Sequence, residues 1–418
     1  MADSKAAPKT DTKADNKANT KNFMQSPSSS ILHMQGWRQY TQSLSLLFQN
    51  YAFELLAYPE FSVFHQELPQ PPFKKLFNRT SAWETAEHIL GSAKDQAIRS
   101  IPTCADPHAK PDYTLRIGAP FELQAATHGK TLVFAISEID RLPEVYLGAT
   151  KLAEIAHDHR IKLFTPSAFS RRALINSGAA AEQILTVPLG FDPDLFFPLN
   201  DEERTALRQK LRWDDHFVYL SVSSMYRHKG IDLSLKAFAQ IATDNPHALL
   251  VFKGNESIYS SQQSLQKAIA CLTPAEWERI RHQIRYIGAT TSMHQIAQFY
   301  QAADVLISPY RAEGFNLPVL EAAACGLAIL CTEGGPTDET THRDFAWRIP
   351  SVTKEITSEI WQGNSLQPVF PAYVELMHKV LHDTHFRSQA KQAGPAYVRQ
   401  SYTWQKVTQQ LVEGIRAL

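Results

Sequence analysis

The chain lacks paired cysteines, long apolar runs and any excess of one charge. Its four cysteines, Cys104, Cys271, Cys325 and Cys331, are scattered with no CxxC spacing. That speaks against a zinc site or a disulfide framework and fits a reducing, cytoplasmic compartment. No stretch approaches the roughly 20 consecutive apolar residues that cross a bilayer. Lys plus Arg and Asp plus Glu both number 42, so no nucleic-acid partner bound through bulk charge is expected. An apolar signal segment near Met1 is missing. No acidic cluster or DxD triplet suggests a bound divalent metal, and no metal ligand or cofactor is assigned.

What is present is ordinary for a soluble globular protein, with 44% hydrophobic and 20% charged residues. A length of 418 residues suits two domains, each able to bury its own core. Residues 1–29 are rich in Lys, Ala, Asp, Thr and Ser and read as a disordered tail. Five lysines there are diluted by three aspartates, which leaves peripheral membrane contact open without a concentrated basic cluster.

From Ser29 onward, strand and helix patterns alternate. "SSILHMQGW", "FSVFHQEL", "DYTLRI", "KTLVFAISE" and "IKLFTPS" read as strands. "QSLSLLFQNYAFELLAY", residues 81–100 and "PEVYLGATKLAEIAHDH" read as helices between them. "TVPLGFDPDLFFPLNDEERTALRQKL" then breaks the pattern and reads as a linker. Beyond it the alternation restarts, with strands at "HFVYLSVSS", "ALLVFKG", "IRYIGA", "DVLISPY" and "LAILCTEGG". "GIDLSLKAFAQIA", "SMHQIAQFYQAA" and "PVLEAAACG" supply the helices, the last closed by Gly326. This predicts two doubly wound α/β, Rossmann-like domains facing across a cleft, with ligands at the carboxyl ends of the strands.

One segment of the second half concentrates the chemistry. In "SPYRAEGFNLPVLEAAACG", Glu313 follows a strand and Glu321 stands eight positions on, inside the next helix. Pro318 suits the first helical position. The amides of Phe315, Asn316 and Leu317 then lie at a helix start, where free N–H groups and the dipole favour an anion. Such an arrangement suits a sugar joined to a diphosphate, with carboxylates accepting hydroxyl hydrogen bonds on either side of the charge. The plainer reading makes Glu321 a first-turn acid and Glu313 a loop acid.

"EGFNLPVLEAAACG" resembles the Glu-x7-Glu segment of retaining nucleotide-sugar glycosyltransferases of the GT-B fold, family 4 in particular. The resemblance implies that Glu313 meets the transferred sugar and Glu321 the nucleotide ribose. Asn316 stands where that family usually has glycine. "SVSSMYRHKGIDLSLKAF" is similar to the family's diphosphate-binding loop, which implies a role for Lys229. Ser224 occupies the usual arginine position, and Arg227 is the neighbouring cation assigned in its place; a solvated loop is the alternative for both cations. Tyr286 and Ile287 match the base-binding strand. "EGGPTDE" matches a glycine-rich turn with Gly334 and Gly335, where Asp338 either meets the acceptor or caps a helix.

In the first half, "FAISEIDRLPEVYLG", "LFTPSAFSRRALINSGA" and "TVPLGFDPDLFFP" are similar to one branch of the same family. Glu138 and Asp140 end a buried strand there. One is expected to orient an acceptor hydroxyl, unless both pair with Arg141 or Arg171. Trp37 and Arg38 occupy the place of the first GT-B loop, and either line an acceptor site or pack and solvate the surface. Helix 401–418 is implied to cross back to the N-terminal domain, giving domains at 30–192 and 193–400.

The function implied is transfer of a hexose, with retention, from a UDP- or GDP-hexose donor to a glycan, lipid or protein hydroxyl. Cations and helix-start amides, in place of a metal, offset the diphosphate charge. Two other readings stay open: a nucleotide-sugar epimerase or phosphorylase on the same fold, and a silent scaffold, suggested by Ser224, Asn316 and the lone Gly36 in the first loop.

Overall fold

The computed structural model describes residues 29–38, 43–69, 91–104, 110–358 and 360–418. Residues 1–28 of the expected tail and 81–90 of the expected helix lie outside the described residues. In chain order the first half comprises β1 (Ser30–Gly36), α1 (Ser43–Leu55), β2 (Phe61–Glu67), α2 (Ser92–Ser100), β3 (Tyr113–Ile117), β4 (Lys130–Phe134), β5 (Ile161–Thr165), α3 (Ala168–Asn176) and β6 (Ile184–Thr186). Its six strands form one parallel sheet in the order β2-β1-β3-β4-β5-β6.

After α4 (Asp201–Leu211) the second half runs β7 (Phe217–Val222), α5 (Ile231–Ile241), β8 (Ala248–Lys253), α6 (Ser261–Ile269), α7 (Pro274–Ile280) and β9 (Ile284–Ile287). It continues α8 (Met293–Ala302), β10 (Val305–Ser308), α9 (Leu317–Ala324), β11 (Ala328–Thr332), α10 (Thr337–Thr340) and β12 (Ala346–Ile349). This second parallel sheet has the order β12-β11-β10-β7-β8-β9. A hairpin, β13 (Ser351–Thr357) and β14 (Gln362–Pro368), follows, then α11 (Phe370–His382), α12 (Thr384–Arg399) and α13 (Trp404–Arg416).

The sequence dictates this layering directly. Every residue of β8, "ALLVFK", is buried, as a strand covered by helices on both faces must be. The run reads apolar without alternation for that reason. Two parallel sheets with helices, facing one another, are the two doubly wound α/β domains that the alternation predicts and the GT-B architecture that the resemblance implies.

Helix α13 returns to the first domain. Its N-cap Thr403 bridges to Phe191, and the Trp404 ring meets Tyr51 of α1 edge-on at 5.8 Å. Trp404, Val407, Leu411 and Ile415 bury one stripe of this helix at helical spacing.

Three local expectations are corrected. "KTLVFAISE" is strand only to Phe134, because the Ser137 N–H bonds the Ser170 hydroxyl (3.2 Å) in place of a neighbouring strand. "PEVYLGATKLAEIAHDH" forms two single 3-10 turns, Glu144–Tyr146 and Leu152–Ile155, and no α-helix. Between them Leu147 bridges to Phe121 and the Gly148 N–H bonds the Phe121 carbonyl at 2.9 Å, so this backbone is taken from any helix ladder. The supposed linker contains α4, started by a reciprocal capping box between Asn200 and Glu203. The hairpin β13–β14 was not anticipated. Its first strand is largely exposed, so no buried face marks it in the sequence.

Candidate active site

The switch point of the second sheet lies between β7 and β10, where strand order reverses. Loops leaving adjacent strands in opposite directions open a crevice there. The loop after β7 carries Lys229, and the loop after β10 carries Glu313. Gly230 lets them meet: it has φ +76°, and a Cβ on it would lie 2.0 Å from the Pro309 carbonyl oxygen.

The first domain closes on this crevice. Gly314 sits so near Ile136 that a Cβ would fall 2.3 Å from Cγ1. The Glu313 N–H donates to the Glu138 carbonyl at 3.0 Å, and the Ser167 hydroxyl donates to the Gly314 carbonyl at 2.8 Å. Ser167 is itself the N-cap of α3.

The structure therefore brings Glu138, Lys229 and Glu313 together. Lys229 Nζ lies 2.8 Å from Glu138 Oε1 and 2.9 Å from Glu313 Oε1. Burial opposes the lysine's charge, but the two carboxylates outweigh it and hold the ammonium well above its ordinary range. Burial also opposes the charge of Glu138, whose side chain is 30% exposed, yet Lys229 and His228 hold its carboxyl below the usual range. Glu313 moves the other way. Burial, with the Glu138 charge added, raises it against the pull of Lys229.

Beside this cluster α9 begins. Leu317 is its first residue and Pro318 its second, one place later than expected. Among the described residues the N–H groups of Phe315, Asn316 and Leu317 find no acceptor within the protein. Asn316 has φ +77° and turns its amide to the Ser308 hydroxyl at 2.9 Å. A left-handed position favours glycine, and asparagine tolerates it among the other residues. The departure from the family pattern is thus conformationally conservative, and the side chain points to Ser308. The Phe315 ring is buried, so only its backbone faces the crevice. Glu321 is buried one turn in, accepts from the Tyr300 hydroxyl at 2.9 Å, and burial pushes its pKa up to about 7.

Other assigned residues lie at the rim or are committed elsewhere. Arg227 is 86% exposed, with Asp232 at 3.8 Å, and does not join the cluster. The Ser224 carbonyl accepts from the Ser261 hydroxyl, and the Ile287 carbonyl from the Gly254 N–H. Trp37 is buried against Ile258 of the other domain, and its indole N–H donates to Pro69. It packs the interface between the domains, as the plainer reading had it. Arg38 is held by Glu67 and the Ile98 carbonyl.

Neither Glu138 nor Asp140 pairs with Arg141 or Arg171. Asp140 is taken up by Asn364 of the hairpin, whose backbone N–H and side-chain amide donate to it at 2.6 and 2.7 Å. Asp338 accepts from the Gly334 N–H and faces Arg348 at 3.5 Å, which is a local cap and pair. Among the described residues no group of three His, Cys, Asp or Glu side chains is placed to hold a metal ion. No helix among them is long and apolar enough to cross a membrane.

Sequence reasoning passed over four contributors. His228 stands 3.6 Å from Glu138, Tyr300 holds Glu321, and Arg311 grips Asp232 with two bonds at 2.7 and 2.9 Å. Glu339 accepts the N–H groups of Ala168 and Phe169 at the start of α3 in the other domain. Position beside an assigned residue was the available signal for His228, Arg311 and Glu339. Tyr300 had none.

Comparison with known proteins agrees with this geometry. Residues 203–353 match the model of the family described as glycosyl transferases group 1. The chain is 24% identical over 233 residues to the GDP-mannose-dependent monoacylated alpha-(1-6)-phosphatidylinositol monomannoside mannosyltransferase of Corynebacterium glutamicum, covering 54% of each chain. It is 32% identical over 164 residues to D-inositol 3-phosphate glycosyltransferase 1 of Catenulispora acidiphila, covering 38% of this chain and 37% of that one. The chain thus spans about half the length, or less, of these relatives. Among solved structures, Anabaena HepE in complex with UDP and glucose aligns with a TM-score of 0.65 at 15% identity, over 93% of this chain and 100% of that one. WaaG, a glycosyltransferase involved in lipopolysaccharide biosynthesis, aligns with a TM-score of 0.59 at 15% identity, over 91% and 98%. The chain accordingly has the two-domain α/β GT-B fold, matches the group 1 glycosyl transferase model over residues 203–353, and resembles the glycosyltransferases of family 4.

Proposed function

We propose that the protein is a retaining glycosyltransferase that moves a hexose from a UDP- or GDP-hexose to an acceptor hydroxyl. One observation carries the reading: Lys229 joins Glu313 of the C-terminal domain to Glu138 of the N-terminal domain, beside the start of α9. A diphosphate at that point would meet the free N–H groups of 315–317 and the Lys229 ammonium. Glu313 would hold sugar hydroxyls and Glu321 the ribose. The relatives named for GDP-mannose-dependent transfer and the HepE complex with UDP and glucose support a nucleotide-sugar donor without choosing the base.

In the reaction, the bond from the sugar's anomeric carbon to the diphosphate oxygen breaks. The acceptor oxygen bonds to that carbon on the same face, and its proton passes to the departing phosphate oxygen. Lys229 and the helix-start amides stabilise the charge growing on the leaving group, which is where preorganised donors lower a barrier most. Glu138 lies on the acceptor side. With Lys229 keeping it ionised, it accepts a hydrogen bond from the acceptor and orients it.

Nucleoside diphosphate release from a panel of UDP-, GDP- and ADP-sugars tests the proposal, with wild type and Glu321→Ala side by side. One donor alone should release nucleotide, and the variant should lose it. If no donor releases nucleotide or raises the melting temperature, the reading fails.

A further inference from the structure

Outside the crevice, one surface concentrates imidazoles. The run "HKVLHDTH" places His378 and His382 four residues apart at the end of α11, with His385 in the first turn of α12. A spacing of four sets two side chains on one helix face, one above the other. That face is the solvent side: Tyr373, Met377 and Val380 bury the opposite stripe, while His378 and His382 are exposed. Asp383 alone links the two helices, so α12 begins directly beyond the pair. An open hollow of about 620 Å³ lies in this corner, lined by the three imidazoles and by the carboxylates of Glu375 and Asp383.

The two rings of α11 already stand at chelating distance. The His378 and His382 centroids are 4.7 Å apart, with the planes tilted by 57°. Imidazoles bound to one ion through nitrogens at about 2.0–2.1 Å, at about 90–109° to each other, have centroids about 4.5–5.2 Å apart. Charge around the hollow does not oppose an ion. Glu375 and Asp383 are negative, and the ammonium of the lining cation, Lys379, sits 4.3 Å over the Trp347 ring.

We propose that His378 and His382 chelate one divalent transition-metal ion of the zinc, nickel and copper class, with water completing its shell. Neutral imidazole suits these ions, whereas magnesium and calcium prefer oxygen ligands. Two imidazoles are a smaller set than the three-residue groups lacking among the described residues, so the ion is exchangeable and open to solvent. Bound there, it clips the corner between α11 and α12. The assignment does not depend on the glycosyltransferase reading, and no step of that reaction passes through it.

The test uses the untagged full chain and calorimetry with zinc, nickel and magnesium chlorides. Zinc and nickel should bind, and magnesium should not. His378→Ala and His382→Ala should each weaken the nickel site at least about tenfold, because the second imidazole of a chelate acts at high effective concentration. His385→Ala should weaken it less than either. All three side chains are exposed, so the variants should melt with wild type in EDTA. An ion that binds only the folded chain must stabilise it. Nickel should therefore raise the melting temperature of wild type and of neither His378→Ala nor His382→Ala. No zinc or nickel binding would reduce the pair to a ring contact and overturn the proposal. So would a nickel site that survives both substitutions, one that depends on a single histidine of the pair, or magnesium binding as tightly as nickel.

Discussion

Lys229 and Glu138 meet at 2.8 Å across the two domains, the lysine from the loop after β7 and the glutamate from the segment after β4. Glu313 meets the same ammonium at 2.9 Å. One cation therefore serves two carboxylates in a largely buried place. Such a group is stable only while all three partners are present, because removing one leaves charge stranded in low dielectric.

Replacing the lysine exposes that dependence. In Lys229→Met, Glu138 and Glu313 face each other without a cation, and both folded-state pKa values rise above their unfolded ones. A raised carboxyl contributes stability below its unfolded pKa and loses it as pH rises through the folded one. The melting temperature should therefore fall at pH 7.5, by the equivalent of about 3–5 kcal/mol. It should recover towards wild type near pH 5. Thermal melts across that range decide it, and a deficit independent of pH would contradict the charge argument.

Glu138→Gln should act in the opposite direction on nucleotide binding. On the proposed function, the diphosphate and Glu138 compete for Lys229. Removing one competitor frees the ammonium, so UDP or GDP should bind tighter by roughly three- to tenfold, about 0.7–1.4 kcal/mol. Transfer should nonetheless fall, since the acceptor loses its orienting carboxylate. Calorimetry against the nucleotide, read beside turnover, separates the two effects. Weaker binding in the variant would mean that Glu138 supports the cation and does not compete for it.

Glu321 supplies a pH dependence of its own. Burial raises its pKa to about 7 in the free protein, with the Tyr300 hydroxyl opposing. Folding then favours its protonated form, so this residue's contribution is present below its ordinary carboxyl pKa and is lost as pH rises through about 7. Glu321→Gln should raise the melting temperature at pH 8 and change it little at pH 4. The unfavourable charge at pH 8 amounts to roughly 3 kcal/mol. Ribose hydroxyls donating to the carboxylate would favour the charged form. Nucleotide affinity in wild type should therefore climb between pH 6 and 8, and the variant should lose that part of the climb. A variant with the wild-type pH profile would remove Glu321 from the nucleotide site.

Much of this was legible because local pattern and fold agree. The parallel strands announce themselves as apolar runs, and Glu313, Lys229 and Glu321 lie where strand ends and a helix start must lie. What stayed hidden depends on contacts distant in sequence. Nothing near Asp140 indicates that Asn364, 224 positions away, will occupy it. Trp37 stands in the place of the first GT-B loop, which suggested a ligand or simple packing, and Ile258 of the other domain packs against it. The helix expected over 143–159 failed because Phe121 captured its backbone. Propensity carries no information about such a partner. The hairpin was illegible for a simpler reason: its strands bury no continuous face.

Glu339 illustrates the same point and supports the last prediction. In "EGGPTDE" the sequence drew attention to Asp338, yet the adjacent Glu339 is the residue that spans the domains. Its two carboxylate oxygens accept the N–H groups of Ala168 and Phe169 at 2.9 and 3.1 Å. Those groups are orphan donors in the first turn of α3, where the helix dipole adds to the attraction. Behind it, the Tyr402 hydroxyl donates to the Glu339 carbonyl at 2.9 Å and fixes the backbone. Glu339→Ala should cost about 1–3 kcal/mol by stranding the two amides, whereas Glu339→Gln keeps an acceptor and should cost less. Because the contact crosses the crevice, the alanine variant should also populate more open arrangements. Small-angle scattering should then give a larger radius of gyration for Glu339→Ala than for wild type, with Glu339→Gln between. Equal radii with a lowered melting temperature would confine Glu339 to capping α3 and leave closure to the Lys229 cluster and the hairpin.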